Sequence, residues 1–222
     1  MPSTLKNTSE VEMKIIFIAG SWGSGTTSVI GALNSLGVPT LGPFFESNDP
    51  KTLNTFELIP FRNLILQYVD EPTIKHKDNY STDFVPALKR FKTELENLAW
   101  PGNPNSKNKI LVLKTPLASI CLPEICKVFE TKIIVVHRPL EEIEASRARR
   151  NWHTLYGSLG AQHIYNKIFS DTIKYKLSFL GISYGDFVNN TEQSLKNICD
   201  YCDLGSYHNN LENAAAFVRA PQ

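Results

Sequence analysis

The chain has 222 residues, of which 42% are hydrophobic and 20% charged, and its net charge is +1. That is enough apolar material for a packed core in one large α/β domain or two small ones. The near-neutral balance excludes a general electrostatic attraction to nucleic acid or acidic membranes, so any anion site has to be local.

In chain order, the polar segment 1–13 reads as a flexible N-terminus without the apolar stretch of a signal peptide, which points to the cytoplasm. No apolar run approaches the roughly 20 residues that cross a bilayer. The sequons at Asn7 and Asn189 then read as chance matches. KIIFIAG at 14–20 is a short, nearly continuous apolar run, the pattern of a buried parallel strand. TTSVIGALNSLG follows as a helix that stops at Gly37, and VPTLG at 38–42 reads as a short strand. TLNTFELIPFRNLILQYV holds a helix begun or interrupted near Pro60, and DEPTIKHKDNYSTD at 70–83 reads as an exposed loop. FVPALKRFKTELENLAW at 84–100 is a helix, and PGNPNSKNK at 101–109 a loop.

Two further strong strands are KILVLKT at 109–115 and TKIIVVHR at 131–138, the second followed by a helical LEEIEASRARRNW. A long helical pattern from about Leu159 to Leu180 precedes a weaker strand, GISYGDF at 181–187. TEQSLKNICDYCDLG is amphipathic, and the spacing of Cys199 and Cys202 puts both thiols on one helix face as small buried hydrophobes. A zinc or redox reading of that C-x-x-C finds no histidine-rich partner nearby. Strands alternating with helices predict an α/β fold, a P-loop-like doubly wound parallel sheet flanked by helices, as a single domain over 1–222.

Between the first strand and its helix lies Gly20-Ser21-Trp22-Gly23-Ser24-Gly25-Thr26-Thr27. A glycine-rich turn lets backbone N–H groups converge on an anion, and the helix N-terminus behind it adds free N–H groups and partial positive charge. Gly20 and Gly25 fit the Walker A spacing, but Thr26 stands where its lysine belongs. The later strong strands end in Lys114 and in His137-Arg138 rather than in an aspartate that holds magnesium. The competing reading is a strand–turn–helix corner without a ligand.

Ser24-Gly25-Thr26-Thr27 resembles the S-G-T-[TS] 5′-phosphosulfate loop of the sulfotransferases that use 3′-phosphoadenosine 5′-phosphosulfate (PAPS). HRPLEEIEASRARR at 137–150 resembles the 3′-phosphate motif of that family, with Arg138 at the strand end and Ser146 eight residues on. ISYGDFVNNTEQSLKNICDYCDL at 182–204 is similar to its late Tyr-Glu-Asp-Leu segment, with Gly185 at the glutamate position. The resemblance implies transfer of a sulfuryl group from PAPS to a hydroxyl or amine, without a metal. It places Gly23, Ser24, Gly25, Thr26, Thr27, Arg138 and Ser146 on the nucleotide. The family usually has a basic residue where Gly23 stands; Lys114, matching the lysine of its Lys-Thr-His segment, is the candidate replacement, and Pro116 takes the histidine position.

For the general base, NDPKTLNTFE at 48–57 resembles a segment of many bacterial members and puts Glu57 first; Glu46, after the short strand, is second. His76, His153 and His163 lack motif support. The partner is then a small-molecule or carbohydrate acceptor. The aromatics Phe44, Phe45, Phe56, Phe61 and Phe84 contact it or belong to the core. Two other readings stay open: a non-catalytic nucleotide-binding module, motivated by Gly23 and Pro116, and a P-loop kinase or nucleotidase.

Overall fold

The computed structural model describes residues 12–47, 54–98 and 108–219. β1 (Glu12–Ala19) leads through the glycine-rich turn into α1 (Thr26–Ser35), which ends before Gly37 at φ 94. A small antiparallel pair follows, β2 (Phe44–Glu46) with β3 (Asn54–Leu58), and β3 runs directly into α2 (Ile59–Tyr68). Pro60 sits in the first turn of α2, where its missing N–H costs nothing. β4 (Val69–Asp70) and β5 (Lys75–His76) form a short hairpin before α3 (Tyr80–Asn97).

β6 (Asn108–Leu113) is followed by a 3-10 turn, Pro116–Cys121, and by α4 (Leu122–Val128). β7 (Glu130–His137), α5 (Leu140–Arg149), the 3-10 turn Thr154–Tyr156 and α6 (Ser158–Tyr175) come next. The chain continues through β8 (Phe179–Ser183), α7 (Tyr184–Asn189), α8 (Thr191–Tyr201), the 3-10 turn Gly205–Asn210 and α9 (Leu211–Arg219).

β1, β6, β7 and β8 form a parallel sheet in the order β6-β1-β7-β8. Period-two alternation sends Met13, Ile15 and Phe17 into one core and Ile16 and Ile18 into the other. The first core adds Phe61 from α2, Phe84 and Leu88 from α3, and Ile164 and Ile168 from α6. The second adds Val29 and Leu33 from α1, Leu195 and Ile198 from α8, and Ala214 from α9. This is the predicted α/β fold, a parallel sheet covered by helices on both faces. Among the described residues, no helix is long and apolar enough to cross a membrane.

Three expectations change. Residues 38–42 form no strand; one bond, from the Val112 amide to the Pro39 carbonyl at 3.1 Å, is what joins that stretch to β6. Pro39 has no N–H with which to continue a ladder. Residues 70–83 are not one exposed loop: Ile74 is buried, β4 pairs with β5, and α3 has started by Tyr80. The last sheet strand starts two residues earlier than its motif suggested and ends four earlier, at Ser183, whose hydroxyl accepts the Asp186 amide at 3.4 Å and caps a helix from Tyr184. The predicted loop at 101–109 and the flexible segment 1–13 fall mostly outside the described residues; Met13 and Lys109 lie in strands.

Phe61 shows how tightly α2 is anchored. It is fully buried, edge-on to Phe17 at 6.4 Å and stacked on Phe91 at 5.5 Å. Phe61→Ala is expected to cost about 3–5 kcal/mol, the range for emptying a buried aromatic site. Urea denaturation followed by circular dichroism measures it; a loss under 1 kcal/mol would show that α2 repacks freely.

Candidate functional site

The turn after β1 is held from both sides. The Gly20 amide donates to Ser119 Oγ at 3.0 Å, and that hydroxyl donates back to the Gly20 carbonyl at 3.3 Å. A Cβ on Gly20 would press on Ser24 Oγ and the Val136 carbonyl at 2.8 Å. Ser24 is fully buried, and its hydroxyl donates to the Ser21 carbonyl at 2.7 Å, so its side chain closes the turn and does not face solvent. Gly25 precedes α1 at φ 98, a left-handed conformation, and a Cβ there would overlap the Tyr184 ring. Behind it the amides of Gly25, Thr26 and Thr27 have no acceptor inside the helix, the usual condition of a helix start. No acidic residue lies in the first turn of α1, so nothing local competes for an anion. Thr26 is buried against Gly20, whereas Thr27 is half-buried.

Lys114, just past β6 and beside this helix start, is 4% exposed. Its ammonium donates to Thr27 Oγ1 at 3.2 Å, to the Thr55 carbonyl at 3.1 Å and to Glu57 Oε1 at 3.1 Å. Those three bonds match the donors a lysine has. Glu57 Oε2 accepts the Thr115 hydroxyl at 2.7 Å and lies 3.9 Å from Arg62 Nε. β3 delivers Glu57 through a register shift, with Phe56 at φ 54, so residues 55 to 58 are all buried instead of alternating. That left-handed backbone at a non-glycine residue is locally costly. It lets Phe56 enter one core while the Thr55 carbonyl and the Glu57 carboxylate both meet Lys114.

A second cation stands at the other end of the turn. Arg138, just past β7, donates from Nη1 to the Gly23 carbonyl at 3.4 Å and from Nε to Glu142 Oε2 at 2.8 Å. Its guanidinium lies 4.8 Å from the Tyr184 ring centroid. Ser146, on α5, is 3% exposed and faces the same point: a Cβ on Gly23 would sit 3.9 Å from Ser146 Cβ and 3.5 Å from Ile143 Cγ2. Those are ordinary contact distances, so it is the left-handed backbone at φ 72 that favours glycine at position 23. Two cations from separate strand ends thus stand at this turn, Arg138 at Gly23 and Lys114 at Thr27.

The other sequence candidates are placed apart from this cluster. Glu46 is exposed on β2, paired through its backbone with Asn54. His76 is stacked on Tyr80 at 3.6 Å, shares a hydrogen bond with the Ile120 carbonyl, and has its pKa lowered by burial. His153 accepts the Leu155 amide, and His163 lies on α6 near His76 and Lys167. Phe56, Phe61 and Phe84 are core; Phe44 is half-buried against Phe56, and Phe45 is exposed under the Arg62 guanidinium at 4.3 Å. Cys199 and Cys202 are buried free thiols, and burial pushes Cys202 up to about 12, which suits packing rather than metal binding. Among the described residues, no group of three His, Cys, Asp or Glu side chains is placed to hold a metal.

Sequence reasoning missed Arg62, Glu71 and Tyr156, which surround Glu57 and Trp22. Arg62 Nη2 is 3.7 Å from Glu71 Oε2, the Tyr156 hydroxyl donates to Glu71 Oε1 at 3.3 Å, and the Tyr156 ring lies 4.8 Å from Trp22.

A family model described as "Sulfotransferase family" matches residues 16–208. Among solved structures, sulfotransferase STF9 from Mycobacterium avium is 14% identical, with a TM-score of 0.51 over 96% of this chain and 69% of that one. The sulfotransferase domain of the Synechococcus PCC 7002 olefin synthase is 18% identical, with a TM-score of 0.47 over 90% of this chain and 76% of that one. No curated protein matches the chain.

The buried Lys114–Glu57 pair makes a test of its own. Lys114→Met and Glu57→Leu are each expected to destabilise by about 3–5 kcal/mol, because each strands a buried charge. The double variant should cost clearly less than the sum. Urea unfolding of all four proteins measures the coupling, and strict additivity would mean that the two groups do not depend on each other.

Proposed function

Because the chain belongs to the sulfotransferase family, we propose that it transfers a sulfuryl group from PAPS to a hydroxyl or amine acceptor. One observation carries the reading. Two cations from separate strand ends bracket a glycine-rich turn at the carboxyl edge of a parallel sheet, Lys114 at Thr27 and Arg138 at Gly23. The donor has two anionic groups to hold, a 5′-phosphosulfate and a 3′-phosphate, and the site has one cation for each. The turn and the start of α1 take the phosphosulfate through backbone amides, aided by the Thr27 hydroxyl. Arg138 and Ser146 take the 3′-phosphate, the arginine through its planar fork.

In the reaction the acceptor oxygen or nitrogen forms a bond to sulfur while the sulfur–oxygen bond to the 5′-phosphate breaks. The electron pair of that bond leaves with 3′-phosphoadenosine 5′-phosphate (PAP). Lys114 neutralises the charge that grows on the departing phosphate, a preorganised electrostatic contribution. Glu57, on the other side of the same ammonium, receives the acceptor proton as Lys114 turns from it to the leaving group. Glu46, exposed on β2, has no comparable place in this scheme. A second reading, nucleotide binding without turnover, is favoured by one feature: Lys114 already spends its three donors inside the protein.

PAP is expected to raise the melting temperature in the absence of magnesium, by linkage to the folded state, and ATP to do so less. Equal stabilisation by ATP, or a requirement for magnesium, would favour a nucleotide kinase instead. Release of PAP from PAPS with an acceptor panel separates the enzyme from the binding module.

Glu142 occupies the Arg138 fork that the 3′-phosphate would use. Arg138→Ala is therefore expected to abolish the preference for PAP over the nucleotide lacking its 3′-phosphate. Glu142→Gln should tighten PAP a few-fold, since an exposed pair of this kind is worth about 0.2–1 kcal/mol. Calorimetry on both nucleotides decides; a Glu142→Gln protein that binds both equally tighter would place the effect elsewhere.

A further inference from the structure

A small depression lies between the β4–β5 hairpin, the 3-10 turn Pro116–Cys121 and α6, and its side chains take no part in the site around Lys114 and Arg138. Its volume is about 210 Å³, and it is bordered by Ile74, Lys75, His76, Ile120, His163 and Lys167. That is below the ~300 Å³ at which pockets for drug-sized ligands begin, so its occupant is a small molecule.

His163 and Lys167 are four residues apart on α6 and so share one face of it. His76 meets them from β5, its ring stacked on Tyr80 at 3.6 Å, and Lys75 beside it is exposed. The Ile120 carbonyl lies 3.1 Å from His76 Nε2 and can only accept, so Nε2 carries the proton and Nδ1 the lone pair. Among the described residues Nδ1 has no partner, and it is not one of the fully buried polar atoms that lack one, so it is open to solvent. The acids nearby are already engaged. Asp171, 2% exposed, accepts two hydrogen bonds from the Lys167 ammonium, at 2.6 and 2.7 Å, and Glu124 accepts the Tyr80 hydroxyl at 2.6 Å. Lys167 keeps a third N–H to give, and each histidine donates from both nitrogens once protonated. A metal cation is poorly served by this set. Among the described residues no three His, Cys, Asp or Glu side chains are placed to hold one, and an ammonium stands with the two histidines. Donors that outnumber free acceptors call for a ligand that only accepts.

We propose that this depression binds a small oxyanion, held by the Lys167 ammonium and by the His76 and His163 rings.

Binding then brings a proton with it. Burial is the largest influence on His76 and lowers its pKa below the ordinary 6.5; the Ile120 carbonyl and the Glu124 and Asp171 carboxylates raise it, and the Lys167 charge lowers it. Tyr80, and Cys121 with its Sγ 3.9 Å from Nε2, are pushed up by burial and stay neutral. An anion beside the ring raises the His76 pKa, by about one pH unit at this range. That rise equals about tenfold tighter binding to the protonated protein. Affinity is full below the pKa of the free protein, falls as pH rises from that value to the raised one, and levels off about tenfold weaker.

Sulfate and formate serve as probes, since neither changes its charge where histidine titrates. Histidine ring resonances, assigned with His76→Gln and His163→Ala, are followed by NMR as each anion is added. The rings of His76 and His163 are expected to shift together, and the His76 midpoint to rise by about one pH unit. His163→Ala removes an exposed side chain and should weaken binding several-fold with the melting temperature unchanged. Lys167→Gln should abolish binding; it also strands the buried Asp171, so its melting temperature reports whether it folds, and His163→Ala carries the test if it does not. Tighter sulfate identifies a phosphate- or sulfate-type group and tighter formate a carboxylate, and either supports the site. Still resonances at His76 and His163 with both probes, an affinity independent of pH, or unchanged binding in His163→Ala would each overturn it. So would a response confined to His153, which lies against Tyr156 and would report an anion at the glycine-rich turn.

Discussion

A lysine ammonium buried at the end of a parallel strand has to be met by opposite charge and by hydrogen-bond acceptors, and much of this site follows from that requirement. Lys114 leaves β6 in the core, so its charge is stabilised by what other elements bring to it. α1 brings the Thr27 hydroxyl and β3 brings a carbonyl and the Glu57 carboxylate. The β2–β3 pair, which is separate from the main sheet, thereby becomes part of the site. The left-handed backbone at Phe56 is the local cost of aiming two successive polar groups at one ammonium.

The same economy applies at the other end of the turn. The backbone at position 23, φ 72, is one that glycine adopts freely. Ile143 and Ser146 of α5 lie beside it, and Arg138 reaches the Gly23 carbonyl from the end of β7. Positive charge stands at strand ends on either side of the turn. Tyr184 completes this side: its ring fills the space that a Gly25 side chain would need and lies under Arg138. Position 185, glycine where the resembling motif has glutamate, is exposed in α7 and does not enter these contacts.

The motif residues near the turn were legible because their signal is local: a strand, a glycine turn, a helix start, and an arginine followed by a serine on the next helix. Ser146 is buried beside Gly23, and Lys114 touches the start of α1. The roles of Ser24 and Thr26 were less legible. Both look like hydroxyl donors in the sequence, yet one closes the turn on Ser21 and the other is buried against Gly20. The aromatics of the middle segment divided between core and surface in a way that periodicity could not settle. Phe56 and Phe45 are eleven residues apart on a bulged hairpin, and the bulge decides which face each takes.

What the sequence determined by itself is the parallel sheet, its helices, and the glycine turn that joins the first strand to its helix. Apolar periodicity, glycine and strand-end charge act over a few residues, and no distant partner is needed to read them. What only the tertiary structure decided is the company each charged group keeps. Glu57 rather than Glu46 meets Lys114 because a register shift turned it inward. Arg62 and Glu71, from one segment after β3, meet Tyr156 and Trp22 from two other parts of the chain. Coulombic and stacking contacts carry no spacing rule along the sequence, so their partners are set by how the elements pack and not by the order of the residues.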